Sequence, residues 1–416
     1  MHLRIILSST GAAILSTLLF AGTQRSEQPA PWAPAVRPQP VSESIRRGLD
    51  WLVRTQHENG GWSQGEESIG MRNSMIYLRD KPNVADTCMA TLALMRAGST
   101  PSQGEHARAI RRALDFLSAE VVNSDPMSLY VTNVRDTRVQ SKLGPYIDTF
   151  LTALVLAESK GRMPDESGNK RIAASLNKVI DKIERNQQAD GTWDKRGWAP
   201  VLSQSMAAKA LNRAAQAGVP VSEEIRAKAE LYARRQFDGK SGRFTEAGSA
   251  GVPLYSSAAS LGAMQDSENT NREREGEILK KLQSARSEEE RQSAQRALAG
   301  IAGNRKDLTD ARTAVAHKIG DQRFVQGFGS NGGEEFLSYM NIGESLVAQR
   351  GEEWEKWNAS ITQNLSRIQN QDGSWTGHHC ITGRNFCTAA ALLVLTVERS
   401  TAPLAGRIQS RPTANR

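Results

Sequence analysis

The side chains best suited to chemistry are a set of candidate metal ligands at two distant places in the chain. Asp86 and Cys88 stand at the start of an apolar stretch, and His378, His379 and Cys387 lie near the C-terminal end. Carboxylate, thiolate and imidazole groups are the ligands that zinc takes in proteins, and a catalytic zinc keeps one coordination position open. If the fold brings the two places together, these residues would hold zinc. The zinc would activate a thiolate or a water, and Asp86 and Cys88 would belong to the catalytic site.

Simpler roles are open for the same residues. The chain has three cysteines, and in an exported protein two of them can form a disulfide, either Cys380 with Cys387 or Cys88 with Cys387. Buried, unreactive thiols are the third alternative. Asp86 precedes Thr87 and an apolar helix, so helix capping would also explain its position.

Three more carboxylates stand after a glycine-rich loop at residues 327–333. They are Glu334, Glu335 and Glu344, and they would face a cavity if the fold has one at this place. The alternative is a flexible turn followed by helix-start carboxylates, because acidic side chains favour the first turn of a helix.

A short motif that occurs three times indicates how these residues are positioned. Each copy fits Q-x-x-x-G-x-W, and the copies are Gln56, Gly60 and Trp62; Gln187, Gly191 and Trp193; and Gln369, Gly373 and Trp375. A looser fourth copy runs from Gln236 through Gly242 to Phe244. Glycine supplies the positive φ that ends a helix, glutamine bonds backbone groups at the helix end, and tryptophan packs over the next hairpin. The motif therefore has a structural role.

Two kinds of helix alternate around the motifs. An amphipathic helix precedes each glutamine, as in residues 176–183, and a helix of small apolar residues follows each turn, as in residues 86–95. Small residues let the second kind pack around a common axis, while the first kind carries the charged outer face. Six helices of the inner kind predict an all-α fold, an α/α toroid built as an α6/α6 barrel over residues 42–398. Closure of the ring would make its first and last repeats neighbours.

The motifs resemble the QW repeats of the squalene and oxidosqualene cyclases, and the helical framework resembles that of the protein prenyltransferase β subunits. The resemblance covers about residues 42–398 and implies an α/α toroid with an apolar or isoprenoid-like ligand in its cavity. Asp86 and Cys88 are similar to the Asp-x-Cys pair that holds zinc in the prenyltransferases, where a histidine from another inner helix completes the site. In that family the histidine lies about one repeat after the pair, whereas the candidates here lie in the last repeat.

The catalytic motifs of the resembling enzymes are altered in this chain. The cyclases protonate a double bond with the central Asp of D-x-D-D-T-A, and residues 83–88 read Asn-Val-Ala-Asp-Thr-Cys, so Ala85 stands in place of the acid. A D-D-x-x-D cluster for the magnesium of pyrophosphate chemistry is also absent from the sequence. These departures argue against squalene-type cyclisation.

The N-terminal sequence predicts export. Residues 5–21 carry no charge and follow a basic start, which is typical of a signal peptide or an uncleaved N-terminal anchor over residues 1–23. Five prolines between positions 29 and 40 predict a linker over residues 24–41. The charged residues 266–310 predict a helical insertion between the fourth and fifth repeats, and residues 399–416 predict a disordered basic tail.

Charge and location limit the partners. The chain has 53 basic and 45 acidic residues, which alternate along its length instead of forming a basic block, so no nucleic-acid partner is expected. The sequence predicts a periplasmic, secreted or membrane-anchored protein that contacts a membrane only through its N-terminal segment. Its expected function is to bind an apolar small molecule, with zinc-assisted catalysis as one option. The alternative is a non-catalytic module that binds an exported protein, a lipid or a glycan.

Overall fold

The structure is a computed structural model that describes residues 32–71, 76–329 and 331–403. The predicted signal peptide or anchor at residues 1–23 lies outside the described residues and stays a prediction. Within the described ranges, no helix combines the length and the apolar character needed to cross a membrane.

In the described part of the chain, six pairs of long helices build the fold, and in each pair an outer helix precedes an inner one. The outer helices are α1 (Glu43–Arg54), α3 (Ala107–Asn123), α6 (Glu166–Arg185), α8 (Glu223–Arg235), α10 (Glu288–Ala316) and α13 (Glu352–Ile368). The inner helices are α2 (Val84–Arg96), α5 (Ile147–Ser159), α7 (Pro200–Gln216), α9 (Pro253–Ser284), α12 (Gly333–Gln349) and α14 (Arg384–Leu395). Two short helices, α4 (Arg138–Leu143) and α11 (Gln322–Val325), lie in the connections.

The inner helices form a closed ring. Each packs against the next in the order α2, α5, α7, α9, α12 and α14, and α14 returns to pack against α2. The predicted α/α toroid is therefore confirmed, and its first and last repeats are neighbours.

Composition explains why the two kinds of helix occupy different layers. Every residue of α2 from Val84 to Met95 is buried, and most of them are small or slender, so the neighbouring inner helices approach closely. The helix α1 instead buries one stripe, which consists of Ile45, Gly48, Leu49, Trp51 and Leu52. Its charged residues lie on the other side, as an amphipathic period of 3.6 requires.

The glutamine and the glycine of each motif connect consecutive outer helices. In the second copy, the Gln187 amide donates to the carbonyl of Gly191 at 3.2 Å and to the carbonyl of Ile225 in α8 at 2.9 Å. Gly191 has a φ of +87°, and a Cβ at this position would lie 2.3 Å from the Lys228 carbonyl oxygen. Both the conformation and the close approach therefore require glycine.

The tryptophan of each motif is a buried wedge with a satisfied N–H group. Trp193 is 1% exposed, and its indole N–H donates to the Ile183 carbonyl at 2.8 Å. The same bond recurs at the same length from Trp62 to Leu52 and from Trp375 to Leu365. In each copy the acceptor lies in the outer helix that precedes the motif, so the tryptophan fixes the angle between that helix and the turn.

The third motif closes the ring. The Gln369 amide donates to the Ser44 carbonyl in α1 at 2.8 Å, and a Cβ on Gly373 would lie 2.5 Å from the Arg47 carbonyl oxygen. The last outer helix is thus joined to the first by the contacts that elsewhere join successive repeats.

Two segments that the sequence placed outside the toroid belong to the fold. A strand at Trp32–Pro34, in the predicted linker 24–41, pairs antiparallel with a strand at Thr401–Pro403, in the predicted tail 399–416. Ala35 and Val36 pack against the core. Proline is compatible with this two-stranded ribbon because an edge strand has positions that need no N–H group. Parts of the predicted linker and of the predicted tail therefore pair with each other.

The charged segment 266–310 is helical and lies between the fourth and fifth repeats as the far halves of α9 and α10. The helix α9 begins as an inner helix and continues without a break to Ser284, and α10 returns to place Leu308, Ala311 and Val315 in the core as an outer helix. The far halves of the two helices pack on each other around a small cluster of Ile278, Ala294 and Ile301. The dense charges of the segment reflect the solvated faces of these halves.

Candidate functional site

The first turns of the inner helices meet at one end of the ring, here called the mouth. Asp86 of α2, Asp148 of α5, Tyr255 of α9, Glu334 of α12 and Cys387 of α14 are all buried there and are electrostatic neighbours. The ring thus brings together residues that lie up to about 300 positions apart in the chain. The partial positive charge of helix N-termini favours acidic side chains at such a place.

Asp86 is fully buried in the first turn of α2. One carboxylate oxygen accepts an N–H from the Asn83 side chain at 2.7 Å, and Asp86 Oδ1 has no hydrogen-bond partner among the described residues. Burial, with smaller contributions from the carboxylates of Asp148 and Glu67, raises the pKa of Asp86 to about 7. The helix cap is Asn83, whose side-chain oxygen accepts the Asp86 backbone N–H at 3.0 Å, so Asp86 does not serve as the cap.

The three cysteines are buried free thiols, and neither predicted disulfide is present. The Cys387 thiol donates to the Ile381 carbonyl at 3.3 Å, and Cys88 Sγ lies 3.7 Å from the Thr152 hydroxyl oxygen. Burial raises the pKa of all three thiols, that of Cys380 to about 12. Thiols with raised pKa stay protonated at neutral pH and are poor nucleophiles, which fits the third alternative of the sequence analysis.

The two candidate histidines have different environments. His378 is exposed, whereas His379 is largely covered and its Nε2 lies 3.9 Å from a Glu335 oxygen. In the described part of the chain, no three His, Cys, Asp or Glu side chains are grouped as metal ligands. The Asp86 carboxylate and the Cys387 thiol bond to protein groups instead. Zinc at these residues stays a prediction.

Glu334 and Glu335 form a buried acidic pair at the start of α12. The Ile381 N–H donates to Glu334 Oε2 at 3.2 Å. The Tyr255 hydroxyl and the Phe328 N–H both donate to Glu335 Oε1, the latter at 3.1 Å. The other two oxygens, Glu334 Oε1 and Glu335 Oε2, are buried and have no hydrogen-bond partner among the residues described.

The pair holds protons near neutral pH. Burial and the charge of Glu335 raise the pKa of Glu334 to about 8, and burial raises the pKa of Glu335 to about 7. Carboxyl groups in this range can donate or accept a proton under physiological conditions, which is the property that general acid–base catalysis uses.

Glycines allow the loop before α12 to wrap around Glu335. A Cβ on Gly327, whose φ is +63°, would lie 2.5 Å from Glu335 Oε1. A Cβ on Gly332 would lie 2.9 Å from Glu335 Oε2 and 2.9 Å from the His379 carbonyl oxygen. The described residues of the glycine-rich loop are therefore a wall of the acidic pair, rather than only a flexible turn.

A group of aromatic rings lies next to the pair. Phe328 is 54% exposed and packs edge to face on Trp198 and His379, with ring centres 5.0 and 5.2 Å apart. Trp198 in turn contacts the Tyr255 ring at 5.9 Å, and the Lys142 amino group lies 5.5 Å from the Trp198 ring centre. The mouth thus combines an exposed apolar ring with buried acceptors that lack donors.

The centre of the ring is filled by side chains. The cavity there has a volume of about 10 Å³, which is close to the minimum for one water molecule. Its apolar lining includes Met89, Leu154, Met206, Met340 and Leu393. The sequence predicts a cavity lined by Trp, Tyr, Phe and Met that holds an apolar or isoprenoid-like ligand. Methionine does line this cavity, but its volume is too small for such a ligand.

Ion pairs occupy the opposite end of the ring, where the inner helices end. Glu344 pairs with Arg96 at 3.0 Å and with Lys209 at 2.7 Å, and Lys209 also pairs with Asp266 at 2.8 Å. Glu344 therefore lines the small cavity, but at the end away from the acidic pair. Because Glu344 is paired with two basic side chains, we assign it a structural role. The candidate site is therefore confined to the mouth.

The closed ring of inner and outer helices defines the protein as an α/α toroid. Residues 33–125, which span α1, α2 and α3, match the family model of the squalene-hopene cyclase C-terminal domain. The resemblance to terpenoid cyclase-like toroids is thereby confirmed. No curated protein matches the chain. Ala85 stands at the position where the resembling cyclases have their acid. The match therefore supports a shared helical framework and does not indicate the same activity.

Proposed function

We propose that this protein is an exported terpenoid cyclase-like toroid that binds a hydroxyl-rich ligand, an exported glycan, at the mouth. The observation that carries the proposal is the two oxygens of Glu334 and Glu335 that lack a hydrogen-bond partner among the described residues, close to the exposed Phe328. A buried acceptor without a donor costs free energy, and native proteins rarely keep several together without a reason. A ligand whose hydroxyl groups hydrogen-bond to these oxygens removes this cost, because a hydroxyl group can donate to a carboxylate and accept from a protonated carboxyl.

A glycan suits this chemistry better than an isoprenoid. Sugar hydroxyls are donors for carboxyl and amide oxygens, and the C–H face of a sugar ring packs on an aromatic side chain. Asp86 Oδ1 and Gln64 Oε1 are further buried acceptors at the same end of the ring without partners among the described residues. The axial cavity of about 10 Å³ is far below the 300–1,000 Å³ of ordinary ligand pockets. The proposal therefore adopts the binding-module alternative of the sequence analysis.

Ligand binding should depend on the mouth. We expect a soluble oligosaccharide from a panel of neutral, amino and acidic sugars to bind the purified protein in isothermal titration calorimetry. Glu335→Gln replaces an acceptor by an amide donor, and Phe328→Ala removes the packing surface, so each should weaken binding at least tenfold. Leu279→Ala, a matched loss of an exposed apolar side chain on the far half of α9, should leave the affinity unchanged.

Two results would overturn this proposal. One is the absence of binding by every oligosaccharide in the panel. The other is binding of squalene or geranylgeraniol with an affinity that neither mouth substitution changes.

Export is the second part of the proposal and rests on residues 1–41. A fusion of these residues to alkaline phosphatase, which is active only outside the cytoplasm, should be active in a bacterial host. A matched fusion in which Leu18 and Leu19 are replaced by Arg should be inactive, because charges in the apolar region block translocation. An inactive wild-type fusion that accumulates inside the cell would contradict export.

A further inference from the structure

A groove of about 500 Å³ lies on the same side of the ring as the mouth but shares none of the mouth residues named above. It lies between the start of α7, the end of α8 and the loop that precedes α9. This volume is within the ordinary range of small-molecule sites. The lining residues that bear on its chemistry are Lys195, Gln204, Tyr232, Arg235, Gln236 and Thr245.

The groove lies beside the fourth motif copy, which departs from the other three. The Gln236 amide donates to the Tyr232 carbonyl of its own helix at 3.3 Å, whereas the other motif glutamines reach the next outer helix. Phe244 stands in place of the tryptophan and pairs with Phe237 in a two-stranded turn. Of these residues, Gln236 and Tyr232 line the groove.

The walls of the groove are fixed. Gln204 Oε1 accepts the Trp193 backbone N–H at 2.9 Å, and the Thr245 N–H donates to the Gln236 carbonyl at 2.8 Å. The Val201 N–H donates to the Gly248 carbonyl at 3.0 Å. A site with such bonded walls is largely formed before a ligand arrives, which lowers the entropic cost of binding.

The charge of the lining is positive. Lys195 and Arg235 are the charged residues among those that line the groove. Lys195 pairs with Asp190 at 2.6 Å, so its charge is already balanced. Arg235 is exposed and has no ion-pair partner among the residues that the structure describes. A guanidinium in this position offers a fork of N–H donors that matches a carboxylate.

The remaining lining suits a sugar. Tyr232 is half-buried, and the Lys195 amino group lies 5.9 Å from its ring centre, so one aromatic ring borders the groove beside the cationic residues. Amide and hydroxyl groups of Gln204, Gln236 and Thr245 supply the polar part of the wall.

We infer that this groove is a second binding site, for a saccharide that carries a carboxylate. Arg235 pairs with the carboxylate, and the Tyr232 ring packs against the sugar. The assignment does not depend on the mouth, since the two sites share no residue.

The test compares trigalacturonate with its methyl ester, which keeps the sugar and removes the charge. We expect the acid to bind the purified protein in isothermal titration calorimetry about tenfold more tightly than the ester, with an affinity that falls as salt is added. Arg235→Ala should weaken binding of the acid about tenfold and leave binding of the ester unchanged. Arg196→Ala removes the same charge from a neighbouring position outside the groove lining and should have no effect.

The outcomes separate this inference from the proposed function. Three results would contradict a carboxylate-binding site in the groove. They are equal affinities for the acid and the ester, equal effects of Arg235→Ala and Arg196→Ala, and no binding of the acid. Phe328→Ala should leave binding of trigalacturonate at the groove intact. Loss of that binding in Phe328→Ala would contradict a separate site, because it would show that the acid binds at the mouth.

Discussion

Replacement of Trp193 by alanine is expected to lower the free energy of unfolding by about 3–5 kcal/mol, the range for a large aromatic side chain removed from a packed interior. Trp193 is 1% exposed, and its ring packs edge to face on Phe150 with ring centres 5.5 Å apart. Its N–H bonds the Ile183 carbonyl. The substitution would leave both a cavity and an unpaired carbonyl at the joint between α6 and α7. Urea denaturation followed by tryptophan fluorescence and circular dichroism measures the change.

Two further substitutions separate the contribution of the hydrogen bond from that of ring burial. Trp193→Phe keeps most of the ring and loses the hydrogen bond, so it should cost about 1–2 kcal/mol. Trp198→Ala removes the same side chain five residues later, where it is only half-buried, and should cost less than Trp193→Ala. Equal free energies of unfolding for Trp193→Ala and Trp198→Ala would contradict a special role of the motif tryptophan in packing.

The motif contacts could be predicted from the sequence because they are local or repeated. In each of the three full copies, the glutamine amide donates to the carbonyl of the glycine four residues later. The same sequence motif therefore makes the same contact each time. Repetition also implied that the ring closes, and the bond from Gln369 to Ser44 follows from the rule that joins the other repeats.

The terminal ribbon could not be predicted in this way. Its two strands, Trp32–Pro34 and Thr401–Pro403, are more than 350 residues apart and too short for a pattern. The proline in the first strand, Pro34, is as typical of a linker as of an edge strand. Only the closed ring, which places both termini at the same joint, gives these segments a reason to pair.

The acidic pair could be found as a pattern but not recognised as a site. Two adjacent glutamates after a glycine-rich loop are visible in the sequence, yet helix-start carboxylates are usually solvated. Their burial depends on Ile381, which comes from the segment before α14, and on Tyr255 of α9. The filled axis was equally hidden, because the same methionine and leucine residues could line a cavity or close it.

The stability of the protein should decrease as the pH rises from about 4.5 to 8. The pKa of Glu334 is about 8 in the folded chain, raised by burial and by Glu335 from 4.5. A carboxyl whose pKa is raised by folding binds its proton more tightly in the native state. Its contribution to stability is fully present below the unfolded pKa and is lost as the pH rises through the folded one. Glu335 and Asp86, both near 7, act in the same direction.

Glu334→Gln should remove the largest part of this dependence. The amide keeps an acceptor for the Ile381 N–H and cannot ionise, so the variant should be more stable than the wild type at pH 8 by about 3–5 kcal/mol, the equivalent of the pKa shift. At pH 4.5 the two proteins should have similar free energies of unfolding. Urea denaturation across this pH range measures both. Glu352→Gln, at an exposed carboxyl in the first turn of α13, is the control and should give no gain at pH 8.

A gain in stability from Glu334→Gln would also bear on function. A chain that keeps a destabilising acid where a neutral amide folds better retains it for a purpose other than folding, and the trade of stability for activity is characteristic of functional sites. The variant should then lose glycan binding at the mouth while it gains stability at pH 8. Equal stability of Glu334→Gln and the wild type at pH 8 would show instead that the Glu334 carboxyl ionises freely. In that case its unpartnered oxygen is hydrated, and the argument for a ligand at the mouth loses its main support.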